Sequence, residues 1–375
     1  MLKTAELKEF DKPLITASYF GFTPIVSPKV TDEDIEAVSH CDKLPYFDAA
    51  EKAALIRTYT EQDFASLPHP LALIYKNRKG YGLHYIGIQG ALAEAALIRT
   101  TLSILTEMGF KNLRVDLNCV GDKESLVNYE RELISFVKKF GSTLTQTIKD
   151  MLKEDVFNLW RSDHEEAIQF RASAPASISF LSTQARSHFK EVLEFVEALG
   201  IEFGITPELI GEKNHATHTI FAIRPVGTEG ELTGGEYLAL GYRYSRLGKR
   251  LGLRKEVPLV GINIAPTKSE KILKVYKELP KPKFFLVQLG HVAKVRTLCL
   301  LELLRANRIP VHHYLGKDKL APQLSGAETS KATHLLIIGH KEALDGTVTV
   351  RNSITRAQDT VAMHLLPQYL KTLKL

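Results

Sequence analysis

Residues 279–283, Leu-Pro-Lys-Pro-Lys, divide the chain into two segments with different patterns. Each proline removes a backbone donor and biases the residue before it towards extended structure, so a helix cannot continue through this stretch. A chain of 375 residues is also longer than one core usually organises. We therefore predict one domain at residues 1–279 and a second at residues 280–375.

The segment after the prolines has the pattern of a small α/β domain with a mixed sheet. Its predicted strands lie at 284–287, 310–314, 334–338 and 347–351. Its predicted helices lie at 291–307, 319–328 and 357–373. Strands and helices alternate along the segment, which is typical of this fold class.

The first segment has the pattern of an antiparallel sheet surrounded by helices. Its predicted helices lie at 90–108, from 121 onwards and at 182–199. Its predicted strands lie at 113–119, 218–223, 231–240 and 258–264. The later strands follow one another without helical crossovers, which favours antiparallel pairing.

The two segments also differ in charge. The whole chain has a net charge of +6, whereas residues 281–375 hold 14 Lys and Arg against 6 Asp and Glu, a net of +8. A basic segment on a nearly neutral body is favourable for binding a phosphate backbone. A bias towards solubility, without any partner, is the alternative interpretation.

Composition excludes several other classes of protein. The chain is 44% hydrophobic and 25% charged, which is typical of globular proteins and not of disordered or fibrous ones. No run of about 18 apolar residues predicts a membrane span, and the first residues lack the apolar core of a secretory signal. The three cysteines are far apart in sequence, so neither a disulfide framework nor a zinc site is expected. We expect a cytoplasmic protein.

General chemical motifs are scarce. The chain contains neither a G-x-x-x-x-G-K-[ST] phosphate loop nor a G-x-G-x-x-G that follows a strand. His215 and His218 have the spacing of metal ligands on a helix, but their segment is predicted to be a turn entering a strand. We therefore predict no metal site.

Several segments occur in an order that points to one family: Tyr19-Phe20-Gly21-Phe22 with Pro28, residues 117–121 followed by Tyr129 and Leu133, residues 174–210, and residues 303–351. Together they resemble bacterial histidyl-tRNA synthetases, and residues 303–351 resemble the class IIa anticodon-binding domain. The resemblance implies an α+β class II synthetase core, an antiparallel sheet flanked by helices, followed by an α/β anticodon-binding-type domain. It also implies a homodimer formed around residues 19–28.

The catalytic motifs of the family are altered in this chain. The arginine of motif 2 falls within residues 73–81, where only Lys76 or Arg78 could replace it. The glutamine and glutamate that contact histidine in the family match Tyr85 and Gln89, and the resemblance places them four apart on one strand face. Without the glutamate, no anion remains there to hold a substrate cation.

The second histidine motif aligns with residues 209–221 without gaps. Its arginine is replaced by Gly211, and its Asp-Tyr-Tyr is replaced by Asn214, His215 and Ala216. By position, Tyr85, Gln89, Gly211, Asn214 and His215 would line the substrate pocket. The framework of the motif is kept, whereas its reactive residues are not.

Two further elements contain the remaining catalytic candidates. Motif 3 aligns with residues 261–268, so that its arginine is at best Lys268, a point charge instead of a planar fork. The family's Gly-Arg-Tyr element retains Arg243 and Tyr244, although the aspartate after it is Ser245. An active enzyme needs fixed guanidinium groups around ATP, so these changes predict impaired catalysis.

The leading hypothesis is therefore a catalytically impaired histidyl-tRNA synthetase-like protein that binds tRNA or another structured RNA. Lys319, Gln323 and Arg351 are the candidates for RNA contact. One alternative is a divergent, active histidine–tRNA ligase that uses ATP and Mg²⁺. A second is a regulatory subunit of histidine biosynthesis, although such subunits generally lack the C-terminal domain.

Overall fold

The structure is a computed structural model that describes residues 7–38, 49–211, 215–227, 237–253, 256–265 and 274–373. The described residues form strands which are, in chain order, β1 Phe10–Asp11, β2 Thr23–Pro24, β3 Leu71–Lys76, β4 Tyr81–Ile86, β5 Leu113–Gly121, β6 Phe203–Ile205, β7 Thr217–Pro225, β8 Ala239–Arg243, β9 Leu259–Ile264, β10 Val275–Tyr276, β11 Phe284–Gln288, β12 Val311–His313, β13 His334–Ile338, β14 Thr347–Asn352 and β15 Gln358–Ala362. They build two large sheets and a two-stranded ribbon of β1 and β10.

The helices of the described residues are, in the same order, α1 Lys12–Tyr19, α2 Asp32–Ala37, α3 Ala49–Glu61, α4 Leu92–Glu107, α5 Lys123–Phe140, α6 Gln146–Glu154, α7 Asn158–Arg161, α8 Glu165–Arg171, α9 Thr183–Ala198, α10 Ser245–Arg250, α11 His291–Ala306, α12 Leu320–Thr329, α13 His340–Asp345 and α14 Leu366–Thr372. Several begin at a polar residue that caps the first turn. Asp122, for example, accepts a hydrogen bond from the backbone N–H of Ser125 at the start of α5. None of these helices has both the length and the apolar character required to cross a bilayer.

The larger sheet has eight strands in the order β2-β3-β4-β9-β8-β7-β5-β6. Every neighbouring pair is antiparallel except β2 with β3 and β5 with β6 at the two edges. This confirms the prediction of an antiparallel sheet flanked by helices. The strand predicted at 231–240 starts later, as β8 at Ala239, and its first residues, 231–236, lie outside the described residues.

The two faces of this sheet pack against different helices. Alternate side chains point to opposite faces, and those of Tyr75, Tyr242 and Ile220 join a core with α3 and the helices that follow β5. Those of Leu83 and Ile262 join a second core with α1, α4 and α9. We call these surfaces the α3 face and the α4 face.

The C-terminal sheet has five strands in the order β12-β11-β13-β14-β15. Strand β11 pairs parallel with both β12 and β13, whereas β14 pairs antiparallel with both β13 and β15. The sheet is therefore mixed, as predicted. The helix predicted at 357–373 is wrong in its first half, since Gln358–Ala362 pairs with β14 as an edge strand. The helix begins only at Leu366, where Pro367 is tolerated in the first turn because its missing N–H has no partner there in any helix.

The C-terminal sheet packs directly against the rest of the chain. The core of the α4 face continues without a break into Leu286 of β11 and Leu301 of α11. Ion pairs link the same elements, with Arg305 of α11 bridging Glu302 of its own helix and Glu107 of α4. The two sheets are therefore joined by a shared apolar core as well as by charges.

Candidate functional site

Three rings on the α3 face form a hydrogen-bonded cluster. His84 lies in β4 with its Nε2 3.1 Å from the hydroxyl of Tyr75 and its Nδ1 2.8 Å from the hydroxyl of Tyr244. The rings of Tyr75 and His84 are stacked with centroids 5.5 Å apart. Burial, and then the charge of Lys52, lower the pKa of His84 well below its usual value, so the imidazole is neutral at physiological pH.

A lysine of α3 lies against these rings. Lys52 is completely buried, and its Nζ donates to Oδ1 of Asn263 over 2.9 Å. The same ammonium is 4.5 Å from the centroid of the Tyr242 ring and 5.8 Å from that of Tyr244. An aromatic face and an amide oxygen are both favourable partners for a desolvated cation. The protein's own side chain therefore occupies a cation-binding position on this face.

A carboxylate completes the cluster. Glu51 accepts hydrogen bonds from the side-chain amides of Asn263, over 2.8 Å, and of Asn77, over 2.6 Å. Asn263 thus contacts the lysine through its oxygen and the glutamate through its nitrogen. This arrangement fixes the orientation of the amide and ties the β3–β4 turn to α3.

Glycines opposite the rings make this packing possible. A Cβ at position 261 would lie 2.0 Å from Nδ1 of His84, and one at position 82 would lie 2.4 Å from the ring of Tyr75. Both distances are far below van der Waals contact, so Gly82 and Gly261 provide the space that the rings fill. The sequence signal for the cluster was this pair of glycines beside aromatic residues, together with a lysine on the buried stripe of α3.

His215 and Gly211, predicted to line the substrate pocket, lie on the same side. Nε2 of His215 accepts a hydrogen bond from Nη1 of Arg250 over 2.9 Å. Burial, followed by the charges of Arg250 and Lys52, lowers the pKa of His215 to about 4. A Cβ at position 211 would be 2.4 Å from the Cβ of Ala216, so the backbone is too closely packed here for the family's arginine.

The structure separates Tyr85 and Gln89 from this group. Tyr85 points to the α4 face, opposite to His84, because neighbouring residues in a strand alternate. Gln89 is exposed and lies beyond Ile86, where β4 ends. The expectation that the two residues share one strand face is therefore wrong, and His84 is the β4 residue that faces Lys52.

Arg243, a catalytic candidate, is a buried anchor of α4. Its Nε and Nη2 each lie 2.6 Å from a different oxygen of Glu94, and its other donors reach the carbonyls of Ile88 and Gly90. Burial alone would raise the pKa of Glu94, but Arg243 and His188 lower it to about 2. These contacts engage all three guanidinium nitrogens on the α4 face, whereas Lys52 lies on the α3 face.

The remaining catalytic candidates are dispersed. Nζ of Lys76 is 2.8 Å from Oδ2 of Asp11, which also accepts from the hydroxyl of Tyr81. Arg78 is exposed in the turn between β3 and β4. Tyr244 alone lies in the cluster with Lys52. Asn214 and Lys268 are outside the described residues.

A basic groove follows the end of α12 in the C-terminal part. Arg351 of β14 lines a cavity of about 610 Å³ together with Lys331, Arg356 and one carboxylate, that of Glu328. The backbone of Lys331 and of Arg356 has φ of +55° and +61°, a conformation that usually favours glycine or asparagine. Ile354 beside them is 90% exposed. We call this surface the basic groove.

The other two predicted RNA-contacting residues are placed elsewhere. Gln323 is fully buried, and its side-chain amide bonds the backbone N–H and carbonyl of Gln288, which corrects its assignment to an RNA-facing surface. Lys319 is exposed but precedes α12, roughly 15 Å of helix away from the end that lines the groove. Only Arg351 of the three predicted residues is in the basic groove.

Comparisons with known proteins agree with this architecture. The family described as "Anticodon binding domain" matches residues 264–373. Over 284 residues the chain is 28% identical to the histidine–tRNA ligase of Thermosynechococcus vestitus, covering 74% of this chain and 64% of that protein. It is 29% identical to the ligase of Synechococcus elongatus over 274 residues, covering 72% and 61%. The match thus spans less than two thirds of the length of these relatives.

A solved structure supports the fold. Apo histidyl-tRNA synthetase of S. aureus matches with a TM-score of 0.50 and 21% sequence identity, over 95% of this chain and 93% of that one. An antiparallel core with helices and a C-terminal anticodon-binding domain define a class II synthetase fold. In sequence and in fold, the chain is similar to histidyl-tRNA synthetases.

Proposed function

We propose that this protein is a catalytically impaired relative of histidyl-tRNA synthetase that binds tRNA or another structured RNA. The observation that carries the proposal is Lys52, a buried ammonium held by Asn263 and two tyrosine rings on the α3 face. A substrate cation would have to displace this side chain. The Lys52 ammonium of the protein itself occupies this position.

The charges that activation needs support the same conclusion. Forming an aminoacyl adenylate requires fixed donors that neutralise the phosphates while a carboxylate attacks the α-phosphorus. Gly211 has no charge, the Arg243 guanidinium forms an ion pair with Glu94, and Lys76 forms an ion pair with Asp11. Since one missing transition-state donor costs about 10²–10³ in rate, the combined change is incompatible with efficient chemistry.

The C-terminal part has the properties of an RNA-binding surface. Residues 281–375 have a net charge of +8, and three cations converge in the basic groove with a single carboxylate. Arginine forks bind phosphate oxygens bidentately, and an exposed apolar side chain such as Ile354 offers a surface for a base. We propose that this groove contacts RNA.

The proposal includes the organisation of the chain. We propose domains at residues 1–279 and 280–375, because the C-terminal sheet begins with β11 just after the two prolines.

We also propose a homodimer formed through the region around residues 19–28. Exposed Val26, Val30 and Ile35 at this end of the molecule supply apolar surface for such a contact.

The decisive experiment is histidine-dependent ATP–pyrophosphate exchange, with the Thermosynechococcus vestitus ligase as the positive control. We expect no exchange above background from the folded protein, in the presence of ATP and Mg²⁺.

RNA that copurifies with the protein should be enriched in structured species, and sequencing identifies it. Exchange above background would contradict impaired catalysis and establish a divergent histidine–tRNA ligase; the absence of any RNA affinity would contradict the second half of the proposal.

A further inference from the structure

A cavity of about 530 Å³ lies between the helices α1, α4 and α11 and the ribbon of β1 and β10. Ligand sites in proteins are typically about 300–1,000 Å³, so the cavity has the size for a small organic molecule. Its wall combines the carbon surface of Ile15 and Ala306 with the rings of Tyr19 and Tyr276 and with several charged side chains. None of these residues belongs to the Lys52 cluster or to the basic groove.

The charges around this cavity do not balance. Lys12, Arg305 and Arg308 line it, and Glu107 is the one carboxylate among the described residues that line it. Glu107 forms ion pairs with both Lys12 and Arg305. Behind the wall, Glu302 is shared between Arg305 and an arginine of α4. Four cations against two carboxylates leave this network with a net charge of +2.

Arg308 is the cation of this network that is left over. Its side chain is exposed, and no ion pair within the described part of the chain includes it. The residue follows Asn307, the C-cap of α11, and its backbone has φ of +59°, at a position where glycine is usually preferred. Its N–H donates to the carbonyl of Arg305 over 2.8 Å. The end of the helix therefore holds two arginines next to each other at the cavity.

Two tyrosines lie near these guanidinium groups. Burial raises the pKa of Tyr19, and the charge of Arg308 opposes this rise, followed by the weaker effects of Tyr276 and Arg305. The phenol of Tyr19 is therefore protonated at physiological pH and can donate a hydrogen bond. Both tyrosines are only partly buried, so a molecule in the cavity can reach them.

We propose that this cavity binds a phosphate monoester of a small, flat organic group. Such a phosphate has a charge of about −1.5 to −2 at pH 7, which matches the excess charge of the network. The Arg308 fork binds two of its oxygens, and the partly exposed ammonium of Lys12 and the hydroxyl of Tyr19 donate to it as well. A bare phosphate would leave most of the volume empty, so the organic group packs against Ile15 and the ring of Tyr276.

This site is separate from the two surfaces behind the proposed function. Ile15 belongs to the core of the α4 face, whereas Lys52 contacts the rings of the α3 face. The basic groove is formed by other residues, at the end of α12. Pyrophosphate exchange and RNA binding by the groove therefore do not depend on this cavity, and the proposal can fail or succeed independently of them.

Isothermal titration calorimetry on the full chain with three probes tests the proposal. Phenyl phosphate has the ring and the doubly charged head, phenyl sulfate has the same shape with a single charge, and inorganic phosphate has no ring. We expect phenyl phosphate to bind most tightly, with phenyl sulfate weaker by about 3- to 10-fold. Inorganic phosphate should be weaker by about 5-fold or more, because it lacks the contact with the tyrosine ring.

Substitutions locate the binding. Arg308→Gln should weaken the binding of phenyl phosphate by about 10-fold, and Arg308→Lys should recover only part of the loss, because an ammonium lacks the fork. Tyr19→Phe should weaken it by about 3-fold for the lost neutral donor. The matched control is Arg186→Gln, which removes one exposed charge from α9 and should leave the affinity unchanged.

Several outcomes would overturn the proposal. They are no saturable binding of phenyl phosphate, equal affinity for phenyl phosphate and inorganic phosphate, and an equal loss in Arg308→Gln and Arg186→Gln. A loss in Arg351→Ala but not in Arg308→Gln would place the phosphate in the basic groove instead. Sedimentation velocity should give the same oligomeric state for Arg308→Gln and the unmodified protein; a different state would assign Arg308 to a subunit contact and would also overturn the proposal.

A competition experiment identifies the source of the phosphate. A trinucleotide with a 5′-phosphate is compared with the same trinucleotide ending in a 5′-hydroxyl, each against bound phenyl phosphate. We expect neither to compete at the affinity of phenyl phosphate, as for a site that takes a free small molecule. Competition by the phosphorylated form alone, lost in Arg308→Gln, would show that the same site takes the end of a nucleic acid.

Discussion

The Nζ of Lys52 lies 2.9 Å from Oδ1 of Asn263, with the Tyr242 ring 4.5 Å from the same nitrogen. The lysine comes from a helix near the start of the chain and the asparagine from the central strand β9. Their contact holds a buried cation between α3 and the sheet. On the α3 face, the ammonium is therefore held by an amide oxygen and an aromatic ring of the protein itself.

Replacing Lys52 should destabilise the protein in a graded way. Lys52→Met keeps most of the volume but leaves Asn263 without its donor, so we expect a loss of about 1–3 kcal/mol. Lys52→Ala adds a cavity, and the loss should reach about 2–5 kcal/mol. Urea unfolding measures both, with the exposed Lys190→Ala as the control.

Exogenous n-propylammonium should partly restore the melting temperature of Lys52→Ala and leave the unmodified protein unchanged. A Lys52→Ala protein as stable as Lys190→Ala would contradict the buried cluster.

Arg243→Gln should cost about 3–5 kcal/mol, because it leaves the carboxylate of Glu94 buried without its main counter-charge. Arg243→Lys should not restore stability, since an ammonium cannot make the bidentate contact and reach the carbonyls of Ile88 and Gly90 together. Chemical denaturation compares these variants with the exposed Arg186→Gln. If Arg243→Gln were as stable as the control, the anchoring role assigned to this arginine would be refuted.

Restoring the family's arginine should fail at position 211. A Cβ there would be 2.4 Å from the Cβ of Ala216, so we expect Gly211→Ala to lose about 1–3 kcal/mol through overpacking. Gly211→Arg should lose more and should not produce pyrophosphate exchange. Gly90→Ala is the matched control, because nothing lies within 4 Å of its added carbon. Equal melting temperatures for the two alanine variants would show that position 211 has room for a side chain.

Stability should fall as the pH drops below about 6.5, partly because of His215. Its pKa is about 4 in the folded protein and 6.5 as the ordinary value, so the unfolded state takes up the proton first. The stabilisation is fully present above pH 6.5 and is lost progressively towards pH 4, amounting to about 3 kcal/mol. Urea unfolding across this range should show a shallower decline for His215→Gln than for the exposed-site control His364→Gln. Parallel declines would contradict the assignment.

The basic groove should determine the salt dependence of RNA binding. Replacing Lys331, Arg351 and Arg356 together with alanine should lower the slope of log affinity against log salt by about two to three units. Lys319→Ala should lower it by about one unit at most, since Lys319 is at the other end of α12. Filter binding across a salt series measures the slopes, with Lys190→Ala as the control. A triple variant with the slope of the control would exclude the groove as the RNA contact.

Local periodicity was enough to predict several of the long helices. The helices α4, α9 and α11 appear close to their predicted bounds, because each has a continuous apolar stripe against one of the cores. The last predicted helix failed where pairing with β14 overrode local preference and made residues 358–362 an edge strand. Such an outcome depends on a partner strand and not on the segment itself.

The candidate site was predicted less well than the fold. The substitution of the reactive residues was visible in the sequence, since Gly211 and Lys268 stand where arginines are expected. Sequence could not show that Arg243 is buried against Glu94, because the two residues are 149 positions apart and meet only through sheet and helix packing. It also gave no indication that Gln323, on a basic domain, turns inward to bond Gln288.

By itself, the sequence determined several of the longer helices and strands, the basic C-terminal segment and the resemblance to histidyl-tRNA synthetases. Only the tertiary structure decided which face of the sheet each side chain occupies. Tyr85 and His84 are neighbours in sequence, yet one packs against Phe22 on the α4 face and the other lies beside Lys52 on the α3 face. The physical reason is that strand pleating sends adjacent side chains to opposite faces, and their functions depend on the distant residues that each face brings together.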